Sequence, residues 1–66
     1  MPASPAAEMS ALATTLDELT ARVTALAQRL DHGPTEAVAI DLFEVERSLR
    51  TATRRLQRAR RNVPAT

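Results

Sequence analysis

The chain holds no cysteine, lysine, tryptophan or tyrosine, and among its 66 residues there is one glycine and one phenylalanine. Without cysteine there is neither a disulfide nor a thiolate ligand. His32 is the only histidine, so no Cys/His metal cluster can be assembled, and neither usual staple of a small domain is available. Catalytic residues, a metal and a cofactor are therefore not expected. With Phe43 the sole aromatic, a base-stacking platform is disfavoured, and so, on weaker grounds, is carbohydrate recognition. No run approaches the roughly 20 apolar residues that span a bilayer, so no membrane association is expected. The N-terminus has no basic run leading into an apolar core, as a secretory signal would have, and a cytoplasmic location is expected. A Gly-rich phosphate loop is missing as well. Acid–base or nucleophilic chemistry needs groups held in a cleft, which the acids Asp17, Glu18, Asp41, Glu44 and Glu46 do not suggest. The pattern contains no enzyme.

What the sequence does hold is leucine at regular spacing on both sides of Gly33-Pro34. Met9, Leu12, Leu16, Leu19, Val23, Leu26 and Leu30 recur three and four apart. Val38, Leu42, Val45, Leu49, Ala52, Leu56, Ala59 and Val63 do the same. A 3.5-residue repeat of this length predicts coiled-coil helices. Naming Leu16 and Leu42 as heptad position a puts the leucine and valine series at a and d. If Gly33-Pro34 reverses the chain, one antiparallel register pairs every a with a d: Leu19 with Leu49, Leu26 with Leu42, Leu16 with Ala52. The predicted fold is all-α, an antiparallel two-helix hairpin of coiled-coil type that dimerises into a four-helix bundle.

The expected boundaries are a disordered 1–4, a hairpin over 5–62 with its turn at 32–35, and a flexible tail at 63–66. Ser4-Pro5 has the N-cap and first-turn pairing of a helix start, and Glu8 suits the dipole. Gly33 can take the left-handed conformation past the first helix, and Pro34 cannot continue it. Thr35 is a second N-cap candidate. Pro64 ends the second helix.

Three features exceed what a lone hairpin needs. The e positions beside the seam are mostly small: Ala13, Thr20 and Ala27 on the first helix, and Ala39, Glu46 and Thr53 on the second. Such an edge can accept another helix pair. Arg29 and Asp41 lie on the opposite edge, where an ion contact across the pair is expected. Ile40 and Phe43 lie off the a/d stripe on one turn of the second helix, and burying either is worth roughly 1.5–3 kcal/mol. Finally, charge is segregated: residues 1–46 carry all eight acids and two arginines, whereas 47–66 carry seven arginines and no acid.

These features suggest a small interaction module or regulator, a homodimer acting on a partner protein such as a transcription regulator. Ile40 and Phe43 would anchor the partner, with Arg47, Arg50 and Arg54 as the polar component. The alternative is nucleic-acid or nucleotide binding by the arginine-rich half, through Arg54, Arg55, Arg58 and Arg61. Against it stand a net charge of only +1, the missing lysine and the absence of a helix-turn-helix.

Overall fold

The computed structural model describes residues 4–64. The residues 1–3 and 65–66 of the expected disordered start and flexible tail lie outside the described part. Helix α1 runs Pro5–Leu30 and helix α2 runs Glu36–Arg61, joined by a 3-10 turn over Gly33–Thr35. They pack along their length as a rod measuring 52 × 21 × 11 Å over its Cα atoms.

The helix start follows from local chemistry. Ser4 has an extended backbone, and its Oγ accepts a hydrogen bond from the Ala7 N–H at 3.1 Å. Pro5 occupies the first helical position, where no N–H is needed. Ser4 is thus the cap of α1 and not part of a disordered leader. At the other end α1 stops at Leu30, one residue before the expected Asp31, and Gly33 turns the chain at φ +65°. An L side chain is disfavoured there, so the single glycine stands where the backbone requires it.

Thr35 occupies the expected N-cap position of α2, but its side chain acts elsewhere. It makes no side-chain cap for α2. Its hydroxyl instead donates to the Leu30 carbonyl at 2.7 Å and lies 3.2 Å from the His32 carbonyl. The intervening 3-10 turn brings that hydroxyl back over the carbonyls left unpaired at the end of α1, and it satisfies those rather than the amides ahead of it. At the C-terminal end the Asn62 and Val63 amides close onto the Ala59 and Arg60 carbonyls, and Val63 is half-buried.

The seam also differs from the a/d expectation. The buried residues are Ala13, Thr20 and Ala27 on α1 and Ala39 on α2. Half-buried beside them are Met9, Leu16, Val23 and Leu30, with Leu42, Glu46, Leu49, Thr53 and Leu56 opposite. The helices therefore face each other through positions a and e, not a and d. The e residues in this seam are mostly small beside the larger a residues, a combination that permits close approach of two helices. A hydrogen bond from the Thr24 hydroxyl to Glu46 Oε2 joins the helices in antiparallel register.

Polar atoms in this seam are satisfied locally. Thr20 and Thr53 donate to the Leu16 and Leu49 carbonyls at 2.7 and 2.9 Å, four residues back in their own helices. That leaves their methyl groups to pack across the seam. No buried side-chain nitrogen or oxygen among the described residues lacks a partner.

Candidate protein-interaction surface

Turning the seam to positions a and e leaves position d uncovered on both helices. Leu12 is 55% exposed, Leu19 and Leu26 are 40%, Val38 is 50% and Val45 is 44%. Position d lies to the same rotational side of the seam in α1 and α2. Like-lettered flanks of an antiparallel pair emerge on the same side. The five residues, continued by Ala52 and Ala59, therefore form one apolar face along the rod. Arg22 and Arg29 border it on α1, where they line a shallow groove with Leu19, Val23 and Leu26. These large side chains are left open side by side, which makes the face a contiguous apolar patch rather than scattered exposure.

The opposite edge is polar. There Asp17, Thr20, Arg50, Thr53 and Arg54 line a groove between the helices. Glu46 sits in the seam with its side chain 19% exposed, and Arg50 Nη2 approaches its Oε2 at 3.6 Å. Arg47 pairs with Glu44 at 3.7 Å, fully at the surface. Both ion pairs lie within α2. Arg29 and Asp41, expected to meet across the hairpin, make no ion pair, because a seam at a and e turns position g outward on both helices.

The residues nominated from the sequence fall on different surfaces. Ile40 is 57% exposed, whereas Phe43 is half-buried on the polar edge, and neither belongs to the leucine–valine face. Arg47, Arg50 and Arg54 continue their strip along α2 and are exposed. The second arginine group does not converge: Arg54 and Arg61 share the outer strip, Arg58 points further round, and Arg55 borders the open apolar face. The Arg54 guanidinium donates to Thr51 Oγ1 at 3.1 Å, and Arg54, Arg55, Arg58 and Arg61 have no carboxylate partner among the described residues.

The open face was the surface not singled out from the sequence. Its signal was present in the apolar set, which is three positions wide at a, d and e. A two-stranded coil uses two of these, and a bundle helix needs all three.

Among the described residues no helix is long and apolar enough to cross a membrane, and no His, Cys, Asp and Glu side chains group to hold a metal ion. The fold and surface define an all-helical hairpin with one open apolar face. No protein-family model, curated protein or solved structure matches the chain.

Proposed function

We propose that this protein is a homodimeric interaction module. A second copy closes the leucine–valine face to form a four-helix bundle, and the outward strip of Ile40, Phe43, Arg47, Arg50 and Arg54 engages a partner protein, such as a transcription regulator. The observation that carries this reading is the exposure of Leu12, Leu19, Leu26, Val38 and Val45 along one side of the rod. Fully burying each is worth roughly 1.5–3 kcal/mol, a large gain for a domain with a thin core and no staple.

The partner strip is supported by its geometry. It lies on the side turned away from the open face, so dimerisation leaves it free. A second reading has one supporting observation: Arg54, Arg55, Arg58 and Arg61 have no carboxylate partners among the described residues, and such arginines suit phosphate groups of a nucleic acid or nucleotide. Affinity for such a ligand would fall steeply with salt.

One experiment separates the two. Partners are recovered from lysate with and without nuclease, using the original chain, Phe43→Ala and Arg54→Ala. A protein retained after nuclease and lost with Phe43→Ala supports the interaction module. Nucleic acid held by the original and Phe43→Ala chains but lost from Arg54→Ala overturns it in favour of the second reading.

A further inference from the structure

Resting on the dimer reading, we infer that the second copy docks upside down, with the two turns at opposite ends and α2 running antiparallel to the partner's α2. The first basis is charge. Around the turn, residues 19–49 carry three arginines against five acids. The open end carries six arginines against three acids. The rod is thus two charges negative at one end and three positive at the other, which together give the chain's +1. Docking with both turns at one end sets like against like at each end. Inverted docking sets each end against its complement.

The second basis is the charge that α2 presents beside the open face, where Asp41, Arg55 and Arg58 have no ion-pair partner among the described residues and Glu44 meets only the exposed Arg47. The first half of α2 holds Asp41 and Glu44, its last half Arg55 and Arg58. These four residues stand on the side of α2 that borders the open face or beyond it. An antiparallel copy of α2 brings Asp41 and Glu44 beside the partner's Arg58 and the partner's Arg55, twice by symmetry. On α1 the same operation carries Glu8 toward the partner's Arg29.

Bulk gives the third basis. On the open face Val38 and Val45 lie near the turn, and Ala52 and Ala59 lie near the open end. Inversion sets each valine against an alanine, so the thickness of the core stays even along the bundle. The two Ile40–Phe43 patches then sit at opposite ends on opposite faces, making the dimer bivalent.

Because the chain has no cysteine, His32→Cys introduces one spin label at each turn, and Asp31→Cys provides an independent second position. Both residues are exposed. Sedimentation equilibrium on the labelled protein first establishes the dimer, and a monomer at this step overturns the dimer reading and the inversion together. In the dimer, the inferred label separation approaches the 52 Å length of the rod. A separation of roughly 10–20 Å, set by neighbouring helix axes, overturns the inversion while leaving the dimer reading in place.

Charge reversal gives a second readout. A chain with Arg55→Glu and Arg58→Glu, mixed in equal amount with one carrying Asp41→Arg and Glu44→Arg, is expected to form mixed dimers almost exclusively in native mass spectrometry, well above the half that random pairing gives. A statistical mixture of dimers overturns the antiparallel pairing of α2.

Discussion

At Ala27 and Ala39 the side chain is a methyl group with no exposure at all. Ala39→Leu forces extra methylenes between helices that touch there, and it is expected to cost about 1–3 kcal/mol in chemical denaturation. Leu19→Ala behaves differently. A leucine buried in an a/d layer would cost about 2–5 kcal/mol at any protein concentration. With Leu19 40% exposed in the hairpin, most of its loss should appear only at concentrations where a dimer forms. Threonines divide the same way. Thr20→Val and Thr53→Val remove hydroxyls that bond within their own helices and should change stability by less than about 0.5 kcal/mol. Thr24→Val removes the bond to Glu46 across the seam and should cost about 1 kcal/mol. These distinctions were hard to read in the sequence because leucine and valine dominate any count of hydrophobic spacing. Ala13, Thr20, Ala27 and Ala39 contribute little area apiece. They decide the seam through how closely they let two backbones approach.

The helices themselves were legible almost to the residue. Ser4 and Pro5 announced the start of α1, and Gly33 with Pro34 announced the reversal, because each satisfies a local requirement that no distant contact can override. Ser4→Ala should fray the first turn, lowering stability by about 1 kcal/mol and shortening amide-exchange protection over the first turn. Gly33→Val places a β-branched residue at φ +65°, and roughly 1–2 kcal/mol of destabilisation should follow, with Gly33→Asn much milder. Thr35 stands at the N-cap position of α2, as its place in the sequence suggests, but its side chain serves α1. Its position before Glu36 matches an N-cap, and nothing local says that a 3-10 turn will carry its hydroxyl back to Leu30. The open apolar face was less legible than the helices for a related reason. Heptad spacing says that a, d and e are apolar, but which two of the three face the neighbouring helix depends on both chains at once. The seam took a and e, and Phe43 went to the polar edge while Leu12, Leu19 and Leu26 went to the open face.

As a whole molecule the hairpin is 7.2 kDa of rod with one long side unfinished. Its seam is thin, its leucines and valines border open space, and its charges are sorted toward the two ends. The proposed second copy would answer all three, and the expected consequence is a coupling between mass and folding. Leu19→Glu with Val45→Glu puts carboxylates on the open face and leaves the a/e seam untouched. This variant should lose association and become markedly less stable, whereas Arg47→Ala, which removes only an exposed pair with Glu44, should change stability by less than about 0.5 kcal/mol. The most direct measurement is sedimentation equilibrium of the unmodified chain from micromolar concentration upward, beside the Leu19→Glu/Val45→Glu variant. A mass of twice 7.2 kDa for the unmodified chain, falling to a single chain mass in the variant, is the predicted result. A stably folded 7.2 kDa monomer across that range would contradict the account.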